Sequence, residues 1–250
     1  MSEVCLVTGA AGGIGKAIVR RLASDGFQIL ATDLHVDDAR AAIRDLPGSG
    51  HSAAALDVTS EKAVADLFAE RAEHSIGSVV AAAGILLFAP GGDRPAITEI
   101  EVSDWELTHR VNSTGTFLLM REYLRRCARQ PVKAGRFIGF SSVAAQLGGY
   151  RSSAAYIASK SAVMGLIKVG AREAAHMGVT INAIAPGLID APMLRQSLSP
   201  DQDQQATANI PLQRIGTPED VAGSVSFLMG PDGAYITGAV IDVNGGYRMQ

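Results

Sequence analysis

The sequence lacks the positive charge that a nucleic-acid-binding protein needs. Its 250 residues include 22 Lys and Arg against 25 Asp and Glu, for a formal net charge of −3. Because binding to phosphates requires a basic excess, we expect no nucleic-acid partner. The hydrophobic content of 47% and the charged content of 19% are typical of an ordinary globular protein.

Long hydrophobic runs and cysteines are also scarce. The longest apolar run, residues 79–90, is too short to cross a bilayer, so no membrane association is expected. The first residues lack the charged start of a signal peptide. The 2 cysteines and 5 histidines form no metal-ligand spacing. We therefore expect no metal, and two reduced thiols in a cytoplasmic protein.

A glycine-rich loop stands in a strand–loop–helix–strand setting near the start of the chain. The apolar run 3–7 leads into Thr8-Gly9-Ala10-Ala11-Gly12-Gly13-Ile14-Gly15, and a helical pattern follows. A second apolar run, residues 27–32, ends at Asp33. In this context the glycines predict a dinucleotide-binding unit, because they let the backbone approach a pyrophosphate at a helix N-terminus.

Asp33 distinguishes between the two nicotinamide dinucleotides. A carboxylate at the end of the second strand accepts hydrogen bonds from the adenosine ribose and repels a 2′-phosphate. Leu34 follows it, and residues 10–12 are Ala-Ala-Gly, so neither place supplies a basic side chain. The sequence therefore predicts NAD as the cofactor.

Strand and helix patterns then alternate as far as residue 243, with no linker, repeat or break in composition. This pattern predicts an α/β fold in which residues 1–250 form one Rossmann-like domain. Its doubly wound parallel sheet has about seven strands and helices on both faces. The irregular stretch 188–216 is long for a compact domain and is typical of a substrate lid.

Two further positions carry specific expectations. Asp57 and Val58 follow the third strand, at the edge of the sheet where ligands bind. A contact with adenine explains Asp57, and an Asx turn explains it equally well. A helix is predicted from Ser103, which with Glu106 matches a capping box, to about residue 129. Asn112 falls in the middle of this helix, where asparagine is unfavourable and needs a reason.

Tyr156 and Lys160 are four residues apart in a predicted helix that runs to about residue 177. This spacing places their side chains on one helix face, one turn apart. A nearby ammonium favours the phenolate and lowers the pKa of a phenol. The pair alone proves little, because tyrosine and lysine meet at this spacing by chance on many helices.

Taken in order, these motifs resemble those of the short-chain dehydrogenase/reductase family over essentially the whole chain. Thr8-Gly9-x-x-x-Gly13-Ile14-Gly15 is similar to the family's cofactor motif. Tyr156-x-x-x-Lys160 is similar to its catalytic motif, and Pro186-Gly187 to the motif that follows its sixth strand. Ser142 and Asn112 match the serine and asparagine that complete the family's catalytic tetrad.

The resemblance implies a role for each of the four residues. Tyr156 exchanges a proton with the substrate oxygen, and Lys160 lowers the tyrosine pKa and binds the nicotinamide ribose. Ser142 holds the substrate oxygen, and Asn112 holds a water behind Lys160. The implied protein is a homotetrameric, NAD-dependent oxidoreductase that interconverts a small secondary alcohol and its ketone.

The remaining contacts follow from the same motifs and loops. The residues expected to bind the cofactor are Gly9, Gly12, Gly13, Ile14, Gly15, Asp33, Leu34, Asp57, Val58, Ala83, Gly84, Tyr156, Lys160, Pro186, Gly187 and Ile189. The residues expected to bind the substrate are Ser142, Ala144, Gln146, Tyr156 and Met193. Tyr150, Arg151 and Arg195 are candidates for binding a polar group, and we expect the two arginines to face water instead.

The sequence differs from the family at two places, and two alternative functions are considered. Residues 81–83 are three alanines where the family commonly has Asn-Asn-Ala, and Ala191 replaces a common threonine. Residues 214–221 also resemble an NADPH-dependent 3-oxoacyl-carrier-protein reductase, against which Asp33 argues. A non-catalytic dinucleotide-binding protein is the other alternative, and the complete tetrad argues against it.

Overall fold

The computed structural model describes residues 4–70, 76–89, 91–149 and 151–249. Seven strands form one parallel sheet in the order β3-β2-β1-β4-β5-β6-β7. The strands are β1 (Val4–Thr8), β2 (Gln28–Asp33), β3 (Ser52–Ala55), β4 (Ile76–Ala81), β5 (Gly135–Phe140), β6 (Val179–Pro186) and β7 (Val240–Val243). The predicted fold class is confirmed.

Helices alternate with the strands along the chain. They are α1 (Gly13–Ser24), α2 (Val36–Ile43), α3 (Glu61–Glu70), α4 (Val102–His109), α5 (Gly115–Arg129), α6 (Val143–Leu147), α7 (Ala154–Ala174), α8 (Pro192–Arg195), α9 (Asp203–Thr207) and α10 (Pro218–Met229). None of those in the described ranges is both long and apolar enough to cross a membrane.

Both faces of the sheet are buried, and successive side chains of a strand point to these opposite faces. In β1, Leu6 packs into a core with side chains of α3, α5 and α7. Its neighbour Val7 packs into a second core with side chains of α1 and α10. This two-sided burial is why the strands are continuous apolar runs rather than alternating ones.

The strand order places the ligand-binding edge. β1 and β4 are neighbours in the sheet. The chain leaves β1 toward β2 and leaves β4 toward β5, in opposite directions. A crevice opens at such a switch point, at the carboxyl ends of the strands. The glycine loop after β1 and the segment 82–89 after β4 meet there.

The helix predicted from Ser103 to residue 129 differs from the observed one in two ways. α4 begins at Val102, and its N-cap Glu101 makes no side-chain capping bond, so the predicted capping box is wrong. Ser103 is already inside the first turn. A π-helical turn, Arg110–Thr114, then separates α4 from α5.

Other predicted elements agree more closely with the structure. α3, one of the helices in the predicted alternation, begins at Glu61, and residues 71–75 beyond it lie outside the described residues. The predicted lid contains α8, a 3₁₀ turn at Pro200–Gln202 and α9. Thr217 caps α10, accepting a hydrogen bond from the Asp220 amide at 3.3 Å.

Candidate active site

The glycine loop leaves no room for side chains. Gly9 has φ +64°, and a Cβ built on it would lie 2.8 Å from the Cα of Ala83. A Cβ on Gly15 would lie 2.0 Å from the Gly9 carbonyl oxygen. The Gly12 amide donates to that oxygen at 3.1 Å. The loop is therefore a tight turn opening α1, the geometry that presents backbone amides to a phosphate.

Asp33 joins the end of β2 to this loop. Its Oδ2 accepts a hydrogen bond from the Ala11 amide at 3.0 Å, and its Oδ1 accepts one from the Leu34 amide at 2.9 Å. Each carboxylate oxygen has a second acceptor site. The carboxylate is therefore held in place and can still accept hydrogen bonds from ribose hydroxyls.

Asp57 forms the Asx turn that was one of its two explanations. Its Oδ1 accepts from the Thr59 amide at 2.9 Å and from the Thr59 hydroxyl at 2.7 Å. Val58 is buried and packs against Gly115, where an added Cβ would lie 3.0 Å from its Cγ2. The turn explains where Asp57 lies, and its contact with adenine stays a prediction.

Lys160 is held at the back of the site by α7 and β5. The helix is capped by Ser153, whose hydroxyl accepts from the Tyr156 amide at 3.3 Å. The Lys160 side chain is only 5% exposed, and its Nζ donates to the Phe140 carbonyl at 3.0 Å. Burial lowers the pKa of this ammonium to about 8.

Tyr156 lies beside Lys160, with the lysine Nζ 5.8 Å from the centre of the phenol ring. Burial raises the pKa of Tyr156 above its ordinary value, and a hydrogen bond with Ser142 opposes that shift. The net shift of this pKa is therefore upward, and the lowering by Lys160 that the resemblance implies stays a prediction. Desolvation of the phenolate outweighs the other effects here, and the ammonium is bonded to Phe140 instead.

Ser142 stands at the point where β5 passes into α6. Its hydroxyl caps that short helix, accepting from the Ala144 amide at 3.2 Å. The side chain is 8% exposed and shares a hydrogen bond with Tyr156. The end of β5 and the start of α7 thus bring the two hydroxyls together.

Asn112 lies in the π-helical turn, and its contacts explain why an asparagine occupies the middle of a helix. Its Oδ1 accepts from the Ile85 amide at 2.8 Å, and its Nδ2 donates to the Ile85 carbonyl at 2.9 Å. Nδ2 also donates to the Ser159 hydroxyl at 3.0 Å. Asn112 therefore ties the segment after β4 to α7, and the predicted water behind Lys160 stays a prediction.

A cavity of about 740 Å³ opens in front of these residues. Ser142, Ala144, Tyr156 and Met193 line it, as expected of substrate-binding residues. Gln146 is not among the lining residues, and its Oε1 is buried without a hydrogen-bond partner in the described part of the chain. The structure thus brings together four of the five residues predicted to bind the substrate.

The predicted cofactor residues divide between this cavity and the crevice beside it. Those that line the cavity are Ile14, Gly84, Tyr156, Lys160, Pro186, Gly187 and Ile189. Gly84 lies beside the side chains of Asn112 and Lys160. A Cβ on it would lie 3.2 Å from Asn112 Oδ1 and from Lys160 Nζ, so a glycine here keeps the space in front of them open. The remaining residues lie on the glycine loop and at the ends of β2, β3 and β4.

The structure adds cavity residues that sequence reasoning missed. Leu86 and Phe88 come from the segment after β4, and Tyr247 comes from the end of the chain. The position of residues 86 and 88 at the carboxyl edge of the sheet was a usable signal. No pattern in the sequence indicates that Tyr247 returns to the site.

The two arginines expected to face water behave differently from each other. Arg195 is bound within the lid by Asp190 at 2.8 Å and by Asp203 at 2.6 Å, which raises its pKa. Arg151 is half-buried, lines the cavity and donates to the Ser197 carbonyl at 3.2 Å. Tyr150 lies outside the described residues.

The two departures from the family are accommodated locally. The Ala83 amide donates to the Thr8 hydroxyl at 3.2 Å, so Thr8 ties the two strand ends together. Ala191 lies over the glycine loop, where a Cβ on Gly13 would meet its Cβ at 2.9 Å. Small side chains at both places suit the close approach of the backbone.

Residues 9–248 match the family described as enoyl-(acyl carrier protein) reductase. A 3-oxoacyl-[acyl-carrier-protein] reductase of Vibrio cholerae is 35% identical over 99% of this chain and 98% of its own. Another, from Aggregatibacter actinomycetemcomitans, is 37% identical over 98% and 99%. A crystal structure titled short-chain dehydrogenase/reductase SDR, glucose/ribitol dehydrogenase, from Brucella melitensis, superposes with a TM-score of 0.88 and 28% identity, covering 99% of this chain and 97% of the other. The chain belongs to the short-chain dehydrogenase/reductase family and is an oxidoreductase of that family.

The low pKa of Lys160 predicts a pH effect on stability. Its pKa falls from 10.5 to about 8 on folding, so the unfolded chain binds more protons between these values. The contribution of Lys160 to the free energy of unfolding should therefore rise with pH from about 8 to about 10, by up to about 3 kcal/mol. Urea unfolding of wild type and Lys160→Met across this range measures it.

The quantity to compare is the difference between the two proteins. Burial raises the pKa of Cys5 to about 12 and also raises that of Tyr156, so both groups lose stabilising free energy as the pH rises. Subtracting the variant removes these contributions from the comparison. A difference that stays flat across the range would show that Lys160 is not buried as described.

Proposed function

We propose that the protein is an NAD-dependent oxidoreductase that interconverts a small secondary alcohol and its ketone. The position of Asp33 supports NAD: its carboxylate is fixed by the Ala11 and Leu34 amides at the place where a 2′-phosphate would lie. No lysine or arginine lies at residues 10–12 or at residue 34 to neutralise that phosphate. The choice of NAD rests on this observation.

The residues around the cavity fit a bound nicotinamide dinucleotide. A Cβ on Gly9 would meet Ala83 and a Cβ on Gly15 would meet the Gly9 carbonyl, so both glycines are needed for the tight turn and close helix packing of a dinucleotide-binding loop. Lys160 Nζ uses one of its three donors on Phe140, so two remain for a ribose. When bound, the cofactor supplies the hydride acceptor for alcohol oxidation and the hydride donor for ketone reduction.

Tyr156 and Ser142 supply the matching proton chemistry. In alcohol oxidation Tyr156 first releases its own proton to solvent, and its phenolate then accepts the substrate hydroxyl proton as the C–O bond becomes C=O. In ketone reduction Tyr156, whose raised pKa keeps it protonated at neutral pH, gives that proton back. Ser142 shares a hydrogen bond with Tyr156 and can donate to the same substrate oxygen. Asn112 keeps the segment after β4 in position behind them.

The names of the relatives support a second candidate, reduction of a 3-oxoacyl thioester with NADPH. Two relatives named 3-oxoacyl-[acyl-carrier-protein] reductase match this chain from end to end at 35% and 37% identity. Such a substrate also presents a ketone to Tyr156. The two candidates differ in the cofactor and in the group attached beyond the ketone.

A single set of assays separates the candidates. A panel of secondary alcohols and their ketones, together with acetoacetyl thioesters, is supplied with NAD(H) or NADP(H). We expect turnover of alcohols or ketones with NAD(H) and little with NADP(H). A clear preference for NADPH with the thioester would establish the second candidate instead.

The proposal extends to assembly and location. Large apolar side chains are exposed on the packed pair α5 and α7, at Phe117 (42%) and Val169 (56%), and beyond α10 at Tyr235 (103%). Exposed apolar groups of this size favour interfaces, which supports a homotetramer. The buried thiols of Cys5 and Cys127, which form no disulfide, support a cytoplasmic enzyme. Sedimentation equilibrium measures the assembly.

A further inference from the structure

We propose that the substrate is a hydroxy acid or keto acid whose carboxylate binds Arg151. This inference rests on the proposed function, since it assigns a substrate class to the same cavity. It begins from the charges that face the cavity. Among the described residues that line it, Arg151 and Lys160 are cations, and none is Asp or Glu.

The two cations have different roles because their surroundings differ. Lys160 is 5% exposed and bonded to Phe140 beside the reacting hydroxyls, where it serves Tyr156 and the cofactor. Arg151 precedes α7 and is half-buried. Its guanidinium is bonded to Ser197 in the segment 188–216, whereas Lys160 is bonded to the end of β5. We therefore assign Arg151 to a part of the substrate away from the reacting carbon.

Arg151 retains donors for a ligand. A guanidinium has five N–H donors. In the described part of the chain, Arg151 donates from Nη1 to the Ser197 carbonyl. The remaining donors match the two oxygens of a carboxylate, which arginine binds in a bidentate manner. No carboxylate among the described residues of the cavity wall competes for them.

The rest of the wall explains why the substrate is small and partly apolar. Leu86, Phe88, Met193 and Leu194 line the cavity together with Ala144. Several residues predicted to bind the cofactor line the same cavity of about 740 Å³. The nicotinamide end of a bound cofactor would therefore occupy part of this cavity. A short hydrocarbon between a carbinol carbon and a carboxylate fits what is left.

The test compares acids with their neutral counterparts. Secondary hydroxy acids of increasing chain length, and the methyl ester of each, are oxidised with NAD by wild type, Arg151→Gln and Arg151→Lys. For the best chain length, wild type should prefer the acid by about 10- to 100-fold in kcat/KM. Arg151→Gln should lose this preference through a higher KM for the acid, with kcat and ester turnover within about threefold of wild type. Arg151→Lys should recover part of the preference.

Arg94→Gln is the matched control for a purely structural role. Arg94 donates to the carbonyl of Gly149 at 3.0 Å, and Gly149 lies in the same loop as Arg151. The Arg94 side chain does not line the cavity. Its loss should leave the preference for the acid unchanged. If Arg151→Gln lost acid and ester turnover equally, Arg151 would only hold the segment 188–216 in place, and the proposal would be overturned. A wild type that showed no preference for the acid at any chain length would also overturn it.

The outcomes also separate this inference from the proposed function. Turnover of esters without preference for acids contradicts the inference alone, whereas no turnover of any pair contradicts the proposed function. In that second case, binding decides the inference. Hexanoate, but not hexanamide, should raise the melting temperature of the wild type with NADH present, and Arg151→Gln should abolish the difference. Equal effects of the two compounds would overturn the proposal.

Discussion

Replacing Tyr156 with phenylalanine is expected to lower kcat for alcohol oxidation by about 10²- to 10⁴-fold. The substitution removes the hydroxyl that exchanges the proton and keeps the ring that packs in the site. Affinity for NAD and the melting temperature should therefore stay close to those of wild type. Steady-state kinetics at saturating NAD, with NAD binding measured by calorimetry, checks both statements.

Tyr123→Phe is the matched control. Tyr123 is also buried, and its hydroxyl donates to the Gly77 carbonyl at 2.6 Å, at the amino end of β4 and away from the cavity. Its loss should reduce the free energy of unfolding by about 1 kcal/mol and leave kcat unchanged. If Tyr156→Phe kept substantial turnover, another group would be the proton acceptor.

Replacing Asp33 with alanine is expected to shift the ratio of kcat/KM for NAD over NADP by about 10³-fold toward NADP. Two unit charges about 4 Å apart interact by about 4 kcal/mol at the effective dielectric of a protein surface, which corresponds to that factor. The shift should come from weaker use of NAD as well as from relief of repulsion, since Asp33 is placed to bind ribose hydroxyls.

Two variants separate charge from structure at this position. Asp33→Asn keeps an oxygen that can accept from the Ala11 or Leu34 amide and loses the charge, so it should show much of the shift. Leu34→Ala alters an exposed neighbour, 58% exposed, and should leave the ratio unchanged. An unchanged ratio in Asp33→Ala would mean that cofactor choice is made elsewhere.

Local motifs account for what the sequence predicts well. The succession of strands and helices, the glycine loop and the positions of Ser142, Tyr156 and Lys160 all follow from patterns a few residues long. These patterns predict structure because each is satisfied by neighbours in the chain. The glycine loop, for example, closes on its own Gly9 carbonyl.

Contacts between distant segments account for what it does not predict. The π-helical turn forms where Asn112 binds the backbone of Ile85, a partner 27 positions away in the chain. The raised pKa of Tyr156 depends on burial by the whole fold. Arg151 and Tyr247 line the cavity together with residues from distant parts of the chain, and Arg151 is bonded there to Ser197, 46 positions away.

Isotope transfer tests most directly whether Tyr156 acts in an NAD site that oxidises secondary alcohols. The enzyme is supplied with equimolar NAD and NADP and a panel of secondary alcohols deuterated at the carbinol carbon. Mass spectrometry then shows which reduced cofactor carries the deuterium. We expect the deuterium in NADH, with the signal lost in Tyr156→Phe. Deuterium mainly in NADPH, or in neither cofactor, would contradict the account.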